Sequence, residues 1–180
     1  MNFIIYDLEA TCWEGRPPNK TRETIEIGAV KVNGYGELLG SFNRFVRPVV
    51  HPSLSIFCRH LTSIDQTDVE RAPEFPDVIE DFMDWIDIYD EPYVLCGWGG
   101  FDQTQLIRDS QLHRLDHDWL EPYINVKQQY ARMRGLPKPK GLKRVIKDEG
   151  FEFTGIHHRA ISDAENLAKV FVKHLDVWQY

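Results

Sequence analysis

The stretch "NFIIYDLEATCWEG", Asn2 to Gly15, decides how the chain is read. Phe3, Ile4, Ile5, Tyr6 and Leu8 form an almost unbroken apolar run, the pattern of a strand buried on both faces. Asp7 and Glu9 interrupt it. Residues two apart on a strand face the same side, so these carboxylates stand next to each other. Like charges there repel, and burial strips them of water. From this pair alone three readings stay open. The strand ends at Tyr6 and the acids lie in water, or Arg or Lys neutralises them, or they hold a divalent cation whose charge turns repulsion into ligation.

Working outward, "ETIEIGAVKV" (Glu23 to Val32) alternates apolar and polar residues and changes phase near Gly28, which predicts a strand with a bulge. "NGYG" (Asn33 to Gly36) predicts a hairpin turn, and "LGSFNRFVRP" a third strand ended by Pro48. The first three strands thus read as an antiparallel meander. Thr62 and Asp65 have the spacing of a capping box. Pro73 suits the first position of a helix whose stripe is Phe75, Val78, Ile79, Phe82 and Ile86. "PYVLCGW" (Pro92 to Trp98) and "PYINV" (Pro122 to Val126) predict two more strands, with a helix from near Phe101 between them. "GLPKPKG" reads as a loop, and Leu142 to Asp148 as a short helix closed by Gly150. The last helix begins near Ala160 and keeps Ala160, Ala164, Leu167, Ala168, Phe171 and Leu175 on one stripe. The expected class is α/β, a mixed sheet with helices packed on it. The Pro17-Pro18 loop and the one around Pro137 and Pro139 are too short for linkers, so one domain is expected over residues 1–180.

The chain has 180 residues, 42% hydrophobic and 27% charged, which fits a globular domain with a sizeable core. No apolar run approaches the ~18 residues needed to cross a bilayer, so no membrane partner is expected. The start lacks the pattern of a secretory signal. Cys12, Cys58 and Cys96 are odd in number and widely spaced, as free thiols in a reducing compartment would be, so a cytoplasmic location is expected. The net charge of −7 conceals a segregation. Arg132 to Lys147 holds seven bases and no acid, leaving the rest at −14, while Asp65 to Glu91 holds eleven acids and one base. A local basic footprint for phosphates is therefore compatible with an acidic protein.

Two further segments carry acids in telling places. "LCGWGGFDQTQL" runs from an apolar strand through a glycine turn to Asp102 at a helix start, where ligands of α/β sheets collect. Alone, Asp102 reads as a helix cap. "HHRAISDAENLAKVF" places Asp163 at the margin of the last helix's buried stripe, with His158 five residues earlier. Alone, a loop histidine such as His157 or His158 is a surface residue. Together, four carboxylates and a proton acceptor are the parts that metal-assisted phosphodiester hydrolysis needs.

"YDLEAT", "GWGGFD" and "HRAISDA" resemble, in order, the three motifs of the DEDDh 3′→5′ exonucleases. "FCRHLTSIDQTDVERAPEFPDV" and "GLKRVI" extend the resemblance to the Eri-type and histone-mRNA 3′ exonuclease branch, from Asn2 to about Leu175. It implies a ribonuclease H-like fold, with a five-stranded sheet of three antiparallel strands then two parallel, flanked by helices. It also implies that Asp7, Glu9, Asp102 and Asp163 hold two Mg²⁺ ions, or Mn²⁺ in their place. His158, and not His157, matches the general base. Ala10 and Thr11 would line the terminal nucleotide through backbone groups. Phe57 and Trp98 would contact or stack on bases, with a core role equally open. The implied substrate is the 3′ end of single-stranded nucleic acid, RNA before DNA, released as nucleoside 5′-monophosphates. One departure is "GWGG", where many members carry Asn or His ahead of the third acid. Two other readings stay open: a proofreading DNA exonuclease, and a non-catalytic RNA- or protein-binding regulator on the same scaffold.

Overall fold

The computed structural model describes residues 1–15, 17 and 19–180; Arg16, and Pro18 of the Pro17-Pro18 loop, lie outside them. Its centre is β1 (Asn2–Ala10), flanked by β2 (Thr24–Asn33) and β4 (Tyr93–Gly97), with β3 (Leu38–Phe45) and β5 (Tyr123–Asn125) at the edges. The strand order is β3-β2-β1-β4-β5. β1, β2 and β3 pair antiparallel, whereas β1–β4 and β4–β5 pair parallel, as expected. Asn33 makes the first hairpin: its side-chain oxygen accepts the Tyr35 and Glu37 N–H groups. Among the described residues there are seven α-helices: α1 (Ile56–Thr62), α2 (Gln66–Glu70), α3 (Phe75–Ile86), α4 (Phe101–His113), α5 (Val126–Met133), α6 (Leu142–Asp148) and α7 (Ala160–Lys173). None is long and apolar enough to cross a membrane.

Period-two alternation on β1 divides the core. Ile4, Tyr6 and Leu8 enter one cluster with Val78, Ile79 and Phe82 of α3. Phe3 and Ile5 enter another with Leu167, Val170 and Phe171 of α7. Asp7 and Glu9 continue the second face beyond its apolar part. The strand runs through both of them to Ala10, so it does not end at Tyr6.

Several expected details change. The phase shift at Gly28 is not a bulge. The irregularities lie where Ala10 pairs with Thr24, skipping Ile25, and where Val32 pairs with Leu38, skipping Leu39. The pattern loses phase because β2 is buried on both faces. Gly28 marks instead the crossing of α7: a Cβ there would lie 2.1 Å from the Ile161 nitrogen and 2.3 Å from the Ala160 carbonyl carbon. The capping box is made by Asp65 and Asp68 at α2, while Thr62 ends α1 and donates to the Cys58 carbonyl. Pro76, not Pro73, stands in the first turn of α3, behind Glu74. The third strand stops at Phe45, and Arg47 forms an isolated parallel bridge to Glu74.

Candidate active site

Gly28 faces Asp7 across the β1–β2 ladder, and Glu26 faces Glu9. Because α7 crosses at Gly28, its first turn brings Asp163 down beside the two strand acids. Carboxylate oxygens of Asp7, Glu9 and Asp163 lie within 4.8 Å of one another. Asp102 comes from the first turn of α4, behind a Gly100 cap, so it is not the cap itself. It turns toward β1, where its Oδ1 accepts the Leu8 N–H at 3.3 Å. Asp102 stands outside the tight trio but lines the same cleft, a cavity of about 780 Å³.

The electrostatics of this cleft are unfavourable to the acids. Burial pushes Glu9 up to about 8, helped by the charges of Asp163, Glu26 and Asp102. Burial pushes Asp102 up to about 7, against the Leu8 N–H that holds it down. Asp7 is raised well above the carboxylate range by burial and then by Asp102, Asp163 and Glu9. Among the described residues, no Lys or Arg forms a salt bridge with any of the four acids. Neutralisation by a basic side chain is thus not how the sheet tolerates them. A fifth acid, Glu26, is different. Fully buried, it is gripped by Arg159 through Nε and a terminal guanidinium nitrogen, and it accepts the Ala160 N–H at 3.0 Å. It therefore caps α7 in place of a side chain from the helix's own N-terminus.

The segment before α7 is pinned. Asn166 receives the Thr154 N–H and donates to the Thr154 carbonyl, and Ser162 Oγ accepts the Ile156 N–H. His158 has φ +63°, and its N–H donates to Asp163 Oδ2 at 2.8 Å. His157 Nδ1 sits 3.0 Å from Asp163 Oδ1. The two imidazoles stack with centroids 4.0 Å apart, and both line the cleft. Burial and the neighbouring His157 lower the His158 pKa, with Asp163 pulling the other way.

The remaining expected residues are placed as follows. Trp98 lines the acid cleft and packs against Tyr130 at 6.1 Å, so it serves core and cleft together. Phe57 is 41% exposed and lines an adjoining cavity with Glu9 and Ala10. Thr11 is buried, with its hydroxyl and backbone N–H both engaged by Glu23. From the basic segment, Lys143, Arg144 and Lys147 of α6 reach the cleft. Lys140 pairs with Asp148 and Arg134 with Glu149. Sequence reasoning missed Glu26 and Arg159. The signal was an arginine next to the expected base and an acid directly across from Glu9.

A five-stranded mixed sheet with a carboxylate cluster at its centre defines a class, the ribonuclease H-like nucleases. The chain belongs to the exonuclease family, whose model matches residues 4–171. It is 31% identical over 181 residues to human "3'-5' exoribonuclease 1", covering 96% of this chain and 52% of that protein. Human "ERI1 exoribonuclease 3" is 31% identical over 180 residues, with 93% and 52% covered. The chain thus spans about half the length of the curated relatives it matches. Among solved structures, the nuclease domain of 3'hExo, a DEDDh family member bound to rAMP, superposes with a TM-score of 0.91. That pair is 31% identical, with 97% of this chain and 91% of that one covered. The cell-death related nuclease CRN-4 shares the fold with a TM-score of 0.86 at 20% identity, with 97% of this chain and 64% of that one covered.

Proposed function

We propose that the protein is a divalent-metal-dependent 3′→5′ exonuclease that acts on single-stranded RNA. The observation that carries this is the trio Asp7, Glu9 and Asp163, with Asp102 beside it and, among the described residues, no Lys or Arg in a salt bridge with any of them. A buried cluster of carboxylates with no basic side chain paired to it fits a pair of Mg²⁺ ions, with Mn²⁺ as substitute. Bound there, the ions would supply positive charge to polarise the scissile phosphate and to acidify water.

The chain's own residues perform the rest. Asp163 fixes the backbone of His158 through the 2.8 Å hydrogen bond, while His157 is itself tied to Asp163. The lowered pKa keeps His158 neutral near pH 7, as an acceptor of the proton from attacking water must be. Trp98 and Phe57 offer aromatic faces to bases on either side of the acids. Lys143 and Lys147 supply phosphate attraction. The reading of RNA rests on relatives named as exoribonucleases and on the rAMP bound to 3'hExo.

A 5′-labelled single strand incubated with Mg²⁺ should shorten from its 3′ end, faster as RNA than as DNA. Asp7→Asn should abolish shortening, and His158→Ala should lose about a hundredfold or more in rate. His157→Ala should lose far less. Shortening without metal, or unaffected by Asp7→Asn, would sink the proposal. A DNA rate above the RNA rate would move the assignment to a DNA exonuclease, and tight binding without turnover to a non-catalytic binder.

A further inference from the structure

Beside the acid cleft lies a second cavity, of about 550 Å³, lined by Trp13, Lys20, Arg22, Phe101 and Arg108 among others. Its described lining holds three cations and no acid, on a protein of net charge −7. None of the three forms a salt bridge with a described residue. The carboxylates next to the two arginines in sequence are turned elsewhere: Asp109 accepts the Thr24 N–H at 3.0 Å and the Thr24 hydroxyl at 2.6 Å, and Glu23 accepts the Val49, Val50 and His51 N–H groups. Three unpaired cations around one hole repel one another unless an anion joins them.

Two of the cations are also held over rings. The Arg22 guanidinium lies 5.6 Å from the Phe101 centroid, and Lys20 Nζ lies 5.4 Å from that of Trp13. Phe101 and Arg108 are seven residues apart on α4, two turns, and so share its face. The Gln105 amide donates to the Arg22 carbonyl at 2.9 Å, which fastens the start of β2 to α4. The positions of Arg22 and Arg108 relative to each other are therefore set by the fold. Trp13, Arg22 and Phe101 also line the small cavity that holds Glu9, Ala10 and Phe57, and Phe101 lines the acid cleft as well. One surface thus runs from the carboxylates across Phe101 to the cations.

We infer that this cavity is a second nucleotide subsite, in which Arg22 and Arg108 bind a phosphate and Trp13 or Phe101 stacks a base. Guanidinium groups suit phosphate by their bidentate geometry, and an aromatic floor accepts any base. The inference rests on the nuclease reading of the acid cleft. Its ligand is a nucleotide phosphate, either one further along the bound strand or that of a free mononucleotide.

Binding is measured in EDTA, so that a failure of hydrolysis and a failure of this subsite are told apart. AMP and single-stranded oligoadenylates of increasing length are titrated into the full chain while Trp fluorescence is followed. Arg22→Gln/Arg108→Gln should weaken oligonucleotide binding about tenfold or more. It should also reduce the salt dependence of log K by about 0.7, for one phosphate contact on a single strand. If the strand is the source, affinity rises in a step with length in the native protein, and the variant loses that step. If the mononucleotide is the source, AMP binding itself falls in the variant. The lysine pair Arg22→Lys/Arg108→Lys should recover part of the affinity. Unchanged binding in a variant whose melting curve is native overturns the inference. So does an equal loss in Arg71→Gln/Arg114→Gln, which removes the same charge away from these cavities.

Discussion

Gly28 shows what one missing side chain does. Directly opposite Asp7, it lets the backbone of α7 come down onto β2, with Ile161 and Ala160 occupying the space of a Cβ. Backbone atoms on both sides leave no flexible end to move aside, so Gly28→Ala should destabilise by about 3 kcal/mol. It should also lift Asp163 away from Asp7 and Glu9. Urea denaturation measures the first effect, and activity at a temperature where the variant stays folded measures the second. A stable, fully active variant would show that α7 can shift without cost. Gly28 was visible in the sequence as a break in alternation, but alternation cannot tell an extra residue from a close approach.

At the scale of elements, the site is a joint between β1, β2 and the start of α7, and the Glu26–Arg159 pair fastens it. Glu26 is fully buried and Arg159 is its counter-charge. Arg159→Ala would leave that carboxylate unpaired in the core, at about 3–5 kcal/mol of stability. The loop with His157 and His158 would lose its anchor as well. Chemical denaturation should show the loss, and Arg159→Lys should recover some of it. If Arg159→Ala melts like the native protein, the pair is not structural. The elements themselves were legible where period and punctuation agree: the apolar β1, the Asn33 turn, the stripes of α3 and α7. Less legible were α1 and α5, short helices whose stability comes from tertiary packing. Asp7, Glu9 and Asp163 stand out as acids in or beside apolar stripes, whereas Asp102 reads alone as a helix cap and the choice of His158 over His157 comes from the motif resemblance. Glu26 and Arg159 could not be picked out, since a strand acid and a loop base look solvated until the fold buries them against each other.

For the whole molecule, the cleft makes stability depend on pH in an unusual direction. Glu9 and Asp102 keep protons in the fold up to about 8 and about 7, against ordinary values of 4.5 and 3.8. Through that window the folded state binds more protons than the unfolded one, so metal-free stability falls as pH rises. His158, lowered, opposes this as one group against several. Glu149, lowered against burial by hydrogen bonds from Tyr130, Lys173, Arg134 and His174, contributes in the opposite sense, lost as pH drops below the carboxylate range. In EDTA the melting temperature should therefore be highest near about pH 5 and fall toward about pH 8. Glu9→Gln should flatten the fall, and added Mg²⁺ should raise the melting temperature most at the alkaline end. A metal-free melting temperature that rises from acid to alkaline pH would contradict these assignments.

The order in which the acids occur along the chain has a consequence during synthesis. β1 is made before the other strands of the sheet and stands at its centre, while Asp163 comes on α7, more than 150 residues later. A nascent chain thus displays Asp7, Glu9 and Asp102 long before Asp163 and His158 exist outside the tunnel, and the cluster cannot close until α7 docks at Gly28. If the cluster is what cuts RNA, the growing polypeptide is harmless to the message that encodes it until α7 has been made and has docked.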